Sequence, residues 1–185
     1  MPLDQHALTE SLHALSASAA TSEGIGAPDL VDRLGQVLTA ARDLIHVDGT
    51  GLMLLDTEDE LRIAGTSDPA ATALEQAQLV AGTGPGVDCV REDRTVAVDD
   101  LADSADYAAV WESLAADPGN PVRAVLSVPV RVGGVAVGTL NAMLSRAEPW
   151  STERIRAAEA YAGIIAVLLR LGAAQRTSTS RLRLD

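Results

Sequence analysis

Few side chains in this sequence are equipped for chemistry, and each of them also has a plain structural use. The single cysteine, Cys89, stands just after a glycine-rich stretch. As a thiolate it could sense oxidants or hold a covalently attached bilin; as a small buried side chain it could simply fill core. Ser127, Thr139 and Asn141 fall in two neighbouring β-branched runs, at positions that alternation places on one face of paired strands. Polar groups on a covered sheet face must be paired, and a ligand or ordered water would serve. Tyr107 and Trp111 lie one helical turn apart and could close a cavity by stacking and hydrogen bonding, or pack as ordinary core. With Met53 from an earlier strand, the candidate ligand-binding set is Met53, Cys89, Tyr107, Trp111, Ser127, Thr139 and Asn141.

Other chemistries find no support. His6, His13 and His46 have no metal-ligand spacing with one another or with Cys89. Asp99, Asp100, Asp103 and Asp106 form an acidic cluster, but it lacks the glycine and terminal glutamate of a calcium loop, and Asp103 is expected to cap the helix that follows. Gly82 to Gly86 could cradle a phosphate through its N–H groups, yet no Lys-Ser/Thr pair follows, so a structural crossing is expected instead. Neither a Gly-x-Ser-x-Gly elbow nor a pair of buried carboxylates is visible. No catalytic residue and no metal ligand is therefore assigned.

These residues need a scaffold, and the composition supplies one. A chain of 185 residues, 47% of them hydrophobic, can bury roughly 70% of its unfolded surface as one domain without disulfides or metals. Aromatic residues make up 2% of it and Phe is absent, so the core must be built from Ala, Val, Leu and Ile. One cysteine allows no internal disulfide framework and fits a reducing cytoplasm. A net charge of -12 repels nucleic-acid backbone and anionic lipid, so direct nucleic-acid or membrane binding is not expected. Neither a signal peptide nor a membrane-spanning apolar run is recognisable.

The strongest positioning element is Arg123 to Leu144, two β-branched runs flanking Gly133-Gly134, a pair suited to the positive φ angles of a two-residue hairpin turn. Ala124, Leu126, Val128, Val130 and Val132 should share a dry face with Ala136, Gly138, Leu140, Ala142 and Leu144. Val125, Ser127, Pro129, Val137, Thr139, Asn141 and Met143 should point the other way, with a bulge or unpaired position at Pro129. Leu8, Leu12, Leu15 and Ala19 suggest a short N-terminal helix, and Leu30 to Ile45 an amphipathic one ending near His46. Strands at Gly51 to Leu55 and Leu61 to Thr66 precede a helix opened by Asp68-Pro69. The glycine crossing leads to a short helix at Val87 to Glu92, a strand at Thr95 to Val98 and a helix carrying Tyr107, Val110, Trp111 and Leu114. Ser151 should cap a last helix, with Trp150 and Ile155 as a hydrophobic staple. Its two apolar stripes leave one in search of a partner.

An antiparallel sheet flanked by helices follows from that order. The segments VDGTGLMLLD, GTGPGVDCVRED with TVAVDDL, and RAVLSVPVRVGGVAVGTLNAMLS with PWSTE resemble a GAF domain, in particular those of actinobacterial GAF-ANTAR regulators, over about residues 28 to 172. The resemblance implies a regulatory ligand-sensing module with a pocket between the sheet and the helices over one face, dimerising through its first and last helices. Three features depart from the family. Gly86 stands where a cysteine often follows Gly-Pro, the Asn-Lys-Phe-Asp-Glu set of cyclic-nucleotide sites cannot be assembled, and no ANTAR segment is found. A lone Cys89 also argues against the GAF-type reductase of free methionine sulfoxide, which needs more than one cysteine.

The expectation is thus an α+β sandwich with an N-terminal helix and linker over 1-26, a GAF domain over 27-175 and a flexible tail over 176-185. It should act without catalysis in the cytoplasm, binding an unidentified small molecule and signalling through a homodimer of the helices Leu30–Ile45 and Ile155–Leu171, with a link to transcriptional or antitermination control. The alternatives are a degenerate domain serving only to dimerise, its pocket filled by Met53, Met143 and Trp111, and a Cys89-based redox sensor.

Overall fold

The computed structural model describes residues 27–181. The expected helix around Leu8 to Ala19 lies outside them. In chain order the elements are α1 (Ala27–Ile45), β1 (Gly49–Leu55), β2 (Leu61–Thr66), α2 (Pro69–Ala81), α3 (Pro85–Arg91), β3 (Val96–Val98), α4 (Ala108–Ala115), β4 (Ala124–Val132), β5 (Val135–Leu144) and α5 (Thr152–Arg181). Two short 3₁₀ turns, Leu101–Asp103 and Ala105–Tyr107, lead into α4. The strands form one antiparallel sheet in the order β2-β1-β5-β4-β3, so the β4-β5 hairpin lies at its centre.

Local chemistry sets most of the boundaries. Gly133 and Gly134 take φ of 64° and 86°, the positive pair that closes a two-residue hairpin without splaying the strands. Asp68 caps α2 by accepting from the Ala71 N–H at 3.0 Å, and Pro69 opens the helix where no N–H donor is needed. Ser151 does the same for α5, its Oγ accepting from the Arg154 N–H at 3.3 Å. That last helix continues to Arg181, into the segment expected to be a tail.

Each face of the sheet carries its own core. On one face α1 and α5 cover Leu52, Ala124, Leu126, Val128, Val130, Leu140, Ala142 and Leu144, with Trp150 and Ile155 packed at the start of α5. On the other, α2, α3 and α4 cover Val96, Val125 and Met143 together with Leu74, Cys89, Tyr107 and Val110. The terminal helices therefore pack together on one side. Two details of the hairpin differ. Its bulge falls between Val130 and Arg131, one residue beyond Pro129, because Pro129 keeps its place opposite Thr139. The bulge leaves Val137 out of register, and Val137 packs with the α1/α5 core instead of facing the other way.

Candidate functional site

The register brings the polar trio together. Ser127 stands opposite Asn141, which also faces Gly51 of β1, while Thr139 lies between Pro129 and Met53. All three side chains are fully buried on the face covered by α2 and α3. Their partners come from the protein itself. Asn141 Nδ2 donates to both carboxylate oxygens of Glu75, at 2.9 and 2.8 Å. Gln78 Nε2, one turn further along α2, donates to Glu75 Oε2 at 2.9 Å. Its own Oε1 accepts from the Gly86 N–H at 2.7 Å. The Thr139 hydroxyl is shared between Asn141 Oδ1 at 3.1 Å and the Val128 carbonyl at 3.3 Å. A sheet strand, a covering helix and the glycine crossing are thus joined by one buried polar network.

Glycines make room for it. A Cβ on Gly51 would run into the Glu75 carboxylate, and one on Gly86 would meet Met53 Cε at 2.8 Å and both terminal atoms of Asn141 at 2.9 Å. Gly86 therefore replaces a side chain to let α3 settle on Asn141. Burial pushes the Glu75 carboxyl up to about 7, against the lowering effect of its bonds from Asn141 and Gln78. Ser127 Oγ, equally buried and on the same face, has no hydrogen-bond partner. Such an orphan is uncommon in a folded interior and costs free energy.

The remaining candidates serve packing: Cys89 stays beside Thr139, while Tyr107 and Trp111 lie apart from the trio. Cys89 is fully buried in the α2/α3/α4 core, where burial pushes its thiol up to about 11. That is the opposite of a reactive thiolate. Tyr107 is buried, and its hydroxyl donates to Asp88 Oδ2 at 2.9 Å, pinning the 3₁₀ turn that leads into α4 to α3. Trp111 is half-buried against the same core and lies 5.2 Å beneath the Arg123 guanidinium, which pairs with Asp100. The acidic cluster is spent on structure. Asp100 caps the first 3₁₀ turn by accepting from the Ala102 N–H at 3.0 Å, Asp103 ends that turn and does not cap α4, whose N-cap position is Tyr107, and Asp99 Oδ1 accepts from the Trp150 N–H at 3.3 Å. Among the described residues no group of three His, Cys, Asp or Glu side chains could hold a metal ion.

Glu75 and Gln78 are absent from the residues the sequence singled out, although a signal existed. In α2 the exposed side carries Val80, 88% accessible, while Glu75 and Gln78 point inward. The helix is inverted relative to ordinary amphipathic patterning at these positions. Beside it, a cleft of about 320 Å³ opens between the β1-β2 turn, the end of α2 and α3, with Leu55, Asp59, Glu60, Leu61, Gln78, Val87, Val90 and Arg91 among its lining residues.

A family model for the GAF domain matches residues 29–169. No curated protein matches the chain. Among solved structures, the GAF domain of a phosphoenolpyruvate-protein phosphotransferase from Coxiella burnetii superposes with a TM-score of 0.68 at 15% identity, covering 92% of this chain and 96% of that one. Free methionine-R-sulfoxide reductase from Neisseria meningitidis, in complex with its substrate, gives 0.67 at 19% identity over 92% of this chain and 93% of that one. A domain of a two-component sensor histidine kinase protein from Sinorhizobium meliloti, itself described as putative, gives 0.66 at 13% identity over 84% and 99%. At these identities the likeness is one of fold.

Proposed function

We propose, from the premise that the chain belongs to the GAF domain family, that it is a non-enzymatic sensor: a small molecule binds between the sheet and α2/α3, and occupancy is passed to a homodimer formed by α1 and α5. The family is generally regulatory, and neighbours in sensor kinase and chemotaxis proteins share the fold. The observation that carries the reading is the buried network of Glu75, Gln78, Thr139 and Asn141 beside the unpaired Ser127 hydroxyl. A domain kept only as a platform gains nothing from a buried carboxylate, which is costly to desolvate and is readily replaced by apolar packing. Because the network joins β5, α2 and α3, a ligand that rearranges it shifts the crossing and, through Tyr107 and Asp88, α4.

The homodimer is supported by apolar side chains that α5 leaves in solvent, Val167 at 53% and Leu171 at 39% exposure. Transcriptional or antitermination control is the output suggested by the GAF-ANTAR resemblance. A cytoplasmic location accords with the single reduced cysteine; among the described residues no helix is long and apolar enough to cross a membrane. Catalysis like that of the Neisseria reductase is disfavoured by a sole, buried cysteine whose thiol is pushed up to about 11.

Thermal melting against a panel of metabolites and nucleotides tests the sensor reading. A true ligand at a hundredfold its dissociation constant adds about 2.7 kcal/mol. The platform reading is favoured by one observation, the complete burial of Met53 and Met143 on this face. It gains the field if no compound stabilises the protein while sedimentation still shows a dimer.

A further inference from the structure

Resting on the reading of this face as a ligand site, we propose that the site takes a compact molecule that offers a protonated amine to Glu75 and a neighbouring oxygen acceptor to the Gly86 N–H, in the slot now filled by the Gln78 carboxamide. Gln78 is held at both ends, donating to Glu75 Oε2 at 2.9 Å and accepting from Gly86 N at 2.7 Å. It is an internal stand-in: one donor and one acceptor wedged between a buried carboxylate and the first turn of α3. An occupant that displaces it must satisfy both partners, since a buried group left unpaired loses more than a hydrogen bond returns. Gln78 also lines the cleft walled by Leu55, Leu61, Val87 and Val90, so the same side chain separates solvent from Glu75.

The sign of the ligand follows from what Glu75 lacks. Its hydrogen bonds come from two neutral amides, those of Asn141 and Gln78. A buried carboxylate is best matched by a hydrogen-bonded cation. Asp59 and Glu60 stand at the cleft, and its one basic lining residue, Arg91, is turned to Asp88 at 2.7 Å and to Glu92 at 3.4 Å. An anion would meet repulsion at the mouth and at the floor. A divalent metal ion would find no group of three His, Cys, Asp or Glu ligands around Glu75 among the described residues. The Ser127 hydroxyl, fully buried and unpartnered, lies on the far side of Asn141 from the Gly51 position over which the Glu75 carboxylate sits, so it stands next to this slot and not within it.

The test uses the full chain with ethanolammonium chloride and glycine, which carry amine and acceptor, against ethylammonium chloride, which lacks the acceptor, and sodium acetate, which lacks the amine. Ethanolammonium or glycine should give a saturable rise in melting temperature and shift the side-chain amide resonances of Gln78 and Asn141 and the backbone resonance of Gly86. Ethylammonium should bind more weakly and acetate should do neither. Glu75→Gln should weaken binding at least about tenfold. Ser127→Ala removes a hydroxyl that holds nothing in the fold and lies outside the slot, so it should keep both the domain and this binding intact. Equal binding by acetate, unchanged affinity in Glu75→Gln, or no shift with either amine overturns the proposal. A neutral or anionic metabolite that moves the Gln78 and Gly86 resonances where the amines do not also overturns it, yet leaves the sensor reading standing; silence from every compound sinks both.

Discussion

Leu126 and Ser127 are neighbours in β4, both fully buried, and face opposite sides of the same sheet. Leu126 enters the core under α1 and α5, a collection of Leu, Val, Ile and Ala side chains closed by Trp150 and Tyr161. Ser127 enters the other side, where Glu75, Gln78, Thr139 and Asn141 are buried among apolar groups. One face is what a domain needs to stay folded. The other gives up stability to keep charge and hydrogen-bonding capacity in a dry place, the usual mark of a site on a scaffold.

Substitutions on the two faces should separate these roles. Leu126→Ala leaves a cavity in tightly packed surroundings and should cost about 2–5 kcal/mol, read as a fall in the denaturation midpoint at constant slope. A loss below 1 kcal/mol would mean that the α1/α5 face is not the stability-setting one. The second effect depends on pH. The Glu75 carboxyl sits at about 7 in the fold against an ordinary 4.5, so the folded state holds its proton more tightly than the unfolded chain. The stabilisation it lends is complete below 4.5 and is lost as pH rises through 7, a swing on the order of 3 kcal/mol. The difference in stability between the native protein and Glu75→Gln should follow that curve, and a difference flat from pH 4 to 8 would contradict it.

Smaller effects complete the contrast. Gly51→Ala pushes a methyl group into the Glu75 carboxylate and should cost about 1–3 kcal/mol, visible in urea titration. The Cys89 thiol should resist a thiol reagent in the native state and react fully in denaturant; fast native reaction would revive the redox reading. Ser127→Ala, next to Leu126, should leave stability unchanged or raise it by a few tenths of a kcal/mol, since it removes an unpaired buried hydroxyl. A large destabilisation there would show that the hydroxyl has a partner.

Elements were legible where the chain carries a local reason for them. Gly133-Gly134, Asp68-Pro69 and Ser151 mark their turn and caps by backbone preference alone, and period-two alternation sorted the β4-β5 side chains onto their faces as far as Val130. Past that point a bulge moved Val137, which alternation cannot anticipate. Asp103 as a cap failed because the helix it was to open starts only at Ala108, with Tyr107 at the N-cap position and no side-chain cap, while Asp103 ends the first 3₁₀ turn.

The site divides along the same line. Types and periodicity determined an antiparallel sheet flanked by helices, its hairpin and the polar row Ser127, Thr139 and Asn141, because each depends on residues close in sequence, while the GAF family was marked by the resemblance of whole segments. The partners of that row are set by contacts between Glu75 and Asn141, 66 positions apart, and between Gln78 and Gly86 across the glycine crossing. Only the packing of α2 and α3 onto the sheet decided them. Burial turned an ordinary glutamate into a near-neutral acid, closed Cys89 away from solvent, and left one hydroxyl waiting for a partner. Desolvation and long-range contact belong to the folded chain, and no local pattern encodes them.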